Sequence, residues 1–298
     1  MASTATDPGY GVAPPGFRLP SATRLGAVRL QVADLAGSLD WYGKVLGLEP
    51  LERAGNRVAL AAPGAARTLV ELHERRGATP VPRRGRLGLY HYALLLPDRP
   101  ALGRFLGHLA EINERAGMSD HLVSEAIYLS DPDGLGIEVY ADRPRASWRH
   151  QDRQLVMATD PLDVQSVLAA GGGEPWTGMP AGTVLGHVHL YVDDIDRAAR
   201  FYHEGLGLDR MVWSYPGALF LSAGGYHHHL GTNTWAAGAP LAGENDARLL
   251  EWDIVLPDAG DVAAAAGSLE RIGVSVHSEN GSAAAADPWG TRLRLRAA

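Results

Sequence analysis

Apolar and polar residues alternate at Val28, Leu30 and Val32, the period of a strand with one buried face. The period then changes. Leu35, Leu39, Tyr42 and Leu46 recur at helical spacing behind Asp34, a good N-cap, and the run stops at Gly47. Short strands are predicted near 58–61 and 68–73, followed by a Pro- and Arg-rich loop over 79–86. A strand carrying His91 follows. Leu102, Phe105, Leu106, Leu109 and Ile112 then predict a helix over 99–118 that ends near Gly117. Strands carrying Tyr128 and Glu138 close the half. The order strand–helix–strands therefore occurs twice.

At Leu185 the pattern restarts. Leu25-Gly26-Ala27-Val28-Arg29-Leu30 becomes Leu185-Gly186-His187-Val188-His189-Leu190, 160 positions on. Asp34, Tyr42 and Leu46-Gly47-Leu48 recur at the same offset as Asp194, Tyr202 and Leu206-Gly207-Leu208. Asp131-Pro132-x-Gly134 recurs as Asp287-Pro288-x-Gly290, 156 positions on. Repetition in the same order and at nearly constant offset implies an internal duplication. Between the halves, residues 143–184 lose the pattern and read as a connection with a short helix over 161–170.

Composition narrows the function classes. The 298 residues are enough for two domains, and 46% hydrophobic with 20% charged content supports a packed core. A formal charge of −7 without a basic cluster argues against nucleic acid or an acidic membrane as partner. Cysteine is absent, which excludes disulfides, thiolate metal sites and a cysteine nucleophile. No apolar run reaches the roughly 18–20 residues of a membrane span. Residues 1–23 lack the charged-then-apolar order of a signal peptide and read as a flexible arm on a soluble, cytoplasmic protein.

His91 and Glu138 lie on two half-buried predicted strands and fall one ligand short of a three-ligand metal site. The run Tyr226-His227-His228-His229 is the most unusual local composition in the chain. Read as a strand, it turns His227 and His229 one way and His228 the other.

The repeated strand, Asp and helix ending in Leu-Gly-Leu, with Asp131-Pro132-Asp133-Gly134 leading into Ile137-Glu138, resembles the vicinal oxygen chelate superfamily. That group contains glyoxalase I, bleomycin-binding proteins and type I extradiol dioxygenases. The resemblance covers residues 24–142 and 185–296. Gly88-Leu89-Tyr90-His91, Asp120-His121, Tyr140-Ala141-Asp142-Arg143-Pro144 and Gly186-His187-Val188-His189 are similar, more narrowly, to bacterial catechol 2,3-dioxygenase-like proteins. The resemblance implies an α+β fold: tandem vicinal-oxygen-chelate domains built from four βαβββ units with cupped mixed β-sheets. The first domain would span 24–142, the linker 143–184 and the second domain 185–298.

In that superfamily the ligands come from the first strand of one βαβββ unit and from the first and last strands of its partner. Neither half supplies all three. The first half has Ala27 where a His is expected, and the second has Glu251 and Arg294 at the positions of His91 and Glu138. The deficits are complementary, so the two middle units are expected to pair across the linker and join His91, Glu138 and His187 in one site. Two imidazoles and a carboxylate suit Fe(II), and also accept Mn(II) or Zn(II). A rival set replaces His187 with Glu71; Glu251 reads as a surface or ion-pair residue.

The same resemblance places a catalytic Tyr at Tyr128 and a catalytic-site His at His121. It points to an acid–base His in the 227–229 run, with His229 the first choice and His227 the second. His189, Asn233 and Trp235 are candidate pocket residues. The implied function is an Fe(II)-dependent extradiol dioxygenase acting on a catechol with O2, as a possible homodimer. The alternatives are a non-catalytic binder of an aromatic small molecule and a glyoxalase-type isomerase or lyase.

Overall fold

The structure, a computed structural model, describes residues 9–298. The first unit is β1 (Arg24–Val32), α1 (Leu35–Leu46), β2 (Glu49–Ala54), β3 (Arg57–Ala61) and β4 (Val70–Glu74). The second is β5 (Gly88–Leu95), α2 (Arg99–Glu111), β6 (Gly117–Asp120), β7 (Ser124–Ser130) and β8 (Gly136–Asp142). The connection carries a short hairpin, β9 (His150–Gln151) and β10 (Gln154–Leu155), and the helix α3 (Val164–Ala170). The third unit is β11 (Val184–Tyr191), α4 (Ile195–Ala199) running into a π-helical turn, β12 (Asp209–Val212), β13 (Ala218–Ser222) and β14 (Leu230–Asn233). The fourth is β15 (Arg248–Leu256), α5 (Ala259–Arg271), β16 (His277–Glu279), β17 (Ser282–Ala286) and β18 (Arg292–Ala297).

The units pair crosswise. A central sheet of eight strands runs β12-β13-β14-β11-β5-β8-β7-β6 and joins the third unit to the second. An outer sheet, also of eight, runs β16-β17-β18-β15-β1-β4-β3-β2 and joins the fourth to the first. Both junctions are antiparallel pairings of opening strands, β11 with β5 and β1 with β15. Each sheet thus takes one unit from each half of the chain.

The repeated sequence signals have the same local cause in both halves. Asp34 and Asp194 cap α1 and α4 by accepting the backbone N–H of Ala36 and Arg197. Gly47 ends α1 at φ 65, a left-handed conformation that costs glycine nothing. Asp131 accepts the N–H groups of Asp133 and Leu135, and Asp287 those of Trp289 and Thr291, so each Asp-Pro-x-Gly turn is closed by its own carboxylate. The second oxygen of each accepts a buried tyrosine hydroxyl, Tyr42 at 3.1 Å and Tyr202 at 2.7 Å, which ties the opening helix of one unit to the next unit. Burial pushes Asp131 up to about 7 and Asp287 up to about 6.

Three local expectations change. The helix α2 ends at Glu111 rather than near Gly117, because Asn113 turns left-handed at φ 56 and Gly117 already opens β6. Ile112 keeps the apolar spacing because it still packs on the core beyond the last turn. β2 shows no alternation because all six of its residues are exposed. Of the expected arm, residues 1–8 lie outside the described residues, while Val12 bridges to Arg210, Arg18 pairs with Asp209 at 2.8 Å, and Leu19 is buried. No helix among the described residues is long and apolar enough to cross a membrane.

Candidate metal centre and active site

Strand register builds the centre. Across β11, β5, β8 and β7, the residues in line are His187, Ala93, Glu138 and Tyr128. Neighbouring strands lie about 4.8 Å apart, so these side chains stand side by side on one face. His91 and His189 are directly opposed across β5 and β11, two residues along from that line and on the same face. Ala93 keeps the space between His187 and Glu138 open. Next to His91, a Cβ on Gly136 would lie 2.0 Å from the Tyr90 carbonyl oxygen, so only glycine fits there. A Cβ on Gly231 would sit 2.8 Å from the His189 ring.

Three donor atoms converge. His91 Nε2 lies 3.0 Å from Glu138 Oε2, His187 Nε2 lies 3.2 Å from the same oxygen, and the two nitrogens are 3.3 Å apart. All three residues are buried. Metal–ligand bonds of about 2.1 Å place neighbouring donors about 3.0–3.4 Å apart around a shared ion. Without a cation the arrangement is awkward. Two Nε2–H groups would crowd one gap, and two bare nitrogens would face an anion. The protonation states suit a metal as well. Burial pushes His187 down to about 4, which leaves it neutral. Burial alone would raise Glu138, but His187 and His91 hold it well below the usual carboxylate range. A neutral imidazole and an ionised carboxylate are the forms that ligate.

The centre opens into a cavity of about 880 Å³ lined by His91, Glu138, Tyr128, His121, His189 and Trp235, among others. His121 Nδ1 lies 2.6 Å from the Ala158 carbonyl oxygen, which accepts only a proton donor, so Nδ1 carries the hydrogen. Its Nε2 then accepts the Tyr128 hydroxyl at 2.5 Å. Burial, then the nearby Glu138 charge, push the Tyr128 hydroxyl well above its ordinary pKa. His189 Nε2 accepts the Asn233 side-chain amide at 2.9 Å, and Asn233 Oδ1 accepts the Trp235 N–H. Asn233 is fully buried behind His189 and orients it rather than lining the cavity.

The histidine run departs from expectation. Residues 226–229 precede β14 rather than forming its start, because Gly224 and Gly225, at φ 63 and 68, turn the chain just before them. The run therefore turns the opposite face to the cavity from the one expected. His228, not His227 or His229, lines the cavity, and its ring centroid lies 4.1 Å from that of His187. His229 is held outside by Ser222 and by the Ala223 N–H on its Nδ1. His227 is fully buried and bonds Asp142 through Nε2 at 2.9 Å and His228 through Nδ1 at 2.7 Å. With Asp142 ionised, His227 donates to it, accepts from His228 Nδ1–H, and leaves His228 Nε2 as a free basic nitrogen. The signal for this lay in Gly224-Gly225, which breaks register ahead of the run.

Glu71, the rival ligand, is not near this centre. It lies on β4 in the outer sheet and is bonded by His73 at 2.6 Å and Arg29 at 3.2 Å. Glu251 and Arg294 belong to the same outer ion-pair cluster.

Known proteins resemble this chain in sequence or in fold. A catechol-2,3-dioxygenase of Bacillus subtilis (strain 168) is 42% identical over 270 residues, spanning 89% of this chain and 94% of that protein. Glyoxalase I from Zea mays superposes with a TM-score of 0.54 at 16% identity, over 92% of each chain. The cppA protein of Streptococcus pneumoniae TIGR4 superposes with a TM-score of 0.54 at 11% identity, over 92% of this chain and 100% of that one. At such identities these two likenesses concern the fold alone. The family model described as Glyoxalase/Bleomycin resistance protein/Dioxygenase superfamily matches residues 24–139 and 184–295, and the chain belongs to that superfamily.

Proposed function

We propose that this protein is an Fe(II)-dependent extradiol dioxygenase that opens a catechol-type aromatic ring with O2. The observation that carries the reading is the convergence of His91, Glu138 and His187 donors within 3.3 Å, with His91 and Glu138 in the wall of a cavity large enough for an aromatic substrate. The 42% identical catechol-2,3-dioxygenase supports the choice of substrate class. The donor set also accepts Mn(II). Bound there, Fe(II) would offer open positions to the catechol oxygens and to O2.

The remaining residues supply proton handling. The Tyr128 hydroxyl gives its hydrogen to His121 Nε2, so its oxygen is free to accept a hydrogen bond from a substrate hydroxyl. His121 thereby becomes the base that a substrate proton reaches through Tyr128. His228 Nε2 is the second base, held in orientation by His227 and Asp142. Burial and its histidine neighbours keep His228 well below its ordinary pKa, so it accepts a proton only from an acidic partner and returns it readily. His189 and Trp235 form the wall that positions the ring.

The test is oxygen uptake by anaerobically purified, iron-loaded protein on addition of catechol. One O2 consumed per catechol supports the reading. Binding of catechol without O2 uptake, or turnover that proceeds in its absence, overturns it in favour of a binder or a glyoxalase-type isomerase.

A further inference from the structure

The dioxygenase reading leaves four cavity-lining arginines unused, on a chain of net charge −7. Arg86 is bound by Asp246 at 2.8 Å. Arg83, Arg84 and Arg115 form no ion pair among the described residues, and Glu114 is the one lining carboxylate besides Glu138. The lining away from the metal centre is therefore net cationic.

Arg83 and Arg84 are held in place. They are the central pair of a tight turn closed by the Gly85 N–H on the Pro82 carbonyl at 2.8 Å. The turn is tied at both sides, by Val81 N–H on Asp133 O at 2.8 Å and by Leu87 N–H on Pro240 O at 2.9 Å. Arg84 sits at φ 59, a region that non-glycine residues seldom enter unless the surroundings enforce it. The Arg83 guanidinium lies near the Tyr90 hydroxyl and the Arg84 guanidinium near the Tyr191 hydroxyl. The Tyr90 and Tyr191 rings lie 4.7 Å apart, and the Tyr90 ring lies 4.5 Å from the His91 ring. Tyr90 therefore bridges the metal ligands and the arginine turn, with about one aromatic ring between them.

We propose that Arg83 and Arg84 select a catechol bearing a carboxylate on a short side chain. The inference rests on the reading of the triad as a catechol site. With the ring's hydroxyls at the triad, a substituent running along Tyr90 arrives at two guanidinium groups that have no anion of their own. A carboxylate there gains charge-assisted, bidentate hydrogen bonds in a partly enclosed cavity, whereas an apolar substituent gains none.

The test is anaerobic titration calorimetry of the iron-loaded protein with two probes: a catechol with a propanoate arm, and its methyl ester. The acid is expected to bind about 10- to 100-fold tighter than the ester at low salt, the range of one or two charge-assisted bonds. The double substitution Arg83→Gln/Arg84→Gln should bring the acid-to-ester ratio to about one, and the matching Lys pair should keep part of it. Equal affinities in the wild type, or a preference that survives the double Gln substitution, overturn the proposal. Oxygen uptake on the same probes separates it from the reading it rests on. Acid-selective binding without O2 consumption upholds the arginine pair and overturns ring opening.

Discussion

The central and outer sheets are built alike and filled oppositely. In the central sheet the line across β14, β11, β5 and β8 reads Gly231, His189, His91, Gly136. At the matching positions across β4, β1, β15 and β18 the outer sheet reads Glu71, Arg29, Glu251, Arg292, with charge alternating strand by strand. Arg29 bonds Asp253 at 2.7 Å, Glu251 at 3.0 Å and Glu71 at 3.2 Å. Asp253 and Arg294 stand where Ala93 and Glu138 stand in the centre, Ala284 replaces Tyr128, and Ala27 replaces His187. The lesson is that one cupped surface accepts two solutions to the same electrostatic problem. Buried carboxylates need a cation. The outer sheet supplies its own in the Arg29 guanidinium, and the central sheet leaves room for an ion.

The sharpest way to break this comparison is to remove a donor from each sheet. His91→Ala and His187→Ala should each abolish stoichiometric iron and with it ring cleavage, although the two residues come from different halves of the chain. Glu71→Gln should leave the iron content at wild-type level. Elemental analysis after anaerobic purification decides it, and a full iron complement in either His variant would undo the shared centre.

The next effect is on stability. Arg29→Leu takes the most buried cation away from Glu71, Glu251 and Asp253 and leaves Asp253 to the half-exposed Arg294 and Arg296, and removing one partner of a largely buried pair costs roughly 3 kcal/mol. Burial alone would raise Asp253, yet Arg29 and then Arg294 hold it below the usual range, so the larger part of that restraint is lost too. Urea denaturation should show the loss, and added divalent cation should recover part of it if the two cups are alternatives of one design.

Tyr128→Phe sharpens the contrast with Ala284 at smaller cost. Turnover should fall about 100-fold with iron content unchanged, the low end of what a lost proton-handling group costs. A parallel fall in iron would mean that the hydroxyl serves the metal instead.

The smallest effect compares the two Asp-Pro turns. A carboxyl whose folded pKa is raised stabilises the fold below its unfolded value, near 4, and loses that contribution as pH rises through the folded value. For Asp131 the loss is complete only above about 7, and for Asp287 above about 6. The stability advantage of wild type over Asp131→Asn should therefore shrink between about pH 4 and pH 7, and that over Asp287→Asn between about pH 4 and pH 6. Denaturation midpoints across that range provide the check.

Much of this arrangement was legible in the residues. The 160-residue offset exposed the duplication, and the complementary losses at Ala27 and Arg294 pointed to crossed pairing. Capping Asp34 and the stop at Gly47 marked α1 because both act through local backbone bonds. What escaped depends on non-local geometry. Period-two reasoning assigned His228 to the wrong face because two positive-φ glycines precede it. The Arg29 cluster was invisible because its carboxylates come from β4 and β15, 42 and 222 or more residues away in the chain. The 79–86 loop showed its arginines in sequence but not the turn that aims them.

Crosswise pairing also sets the order in which the molecule can be made. When the ribosome has released the first 142 residues, β1 and β5 have each emerged without the antiparallel neighbour that β15 and β11 will later provide. Two long apolar strand edges then wait for the rest of the polypeptide, an invitation to pair with the wrong chain. The proposed cup therefore waits on β11, which carries His187, and a product ending before it would hold only two of the three proposed donors, His91 and Glu138.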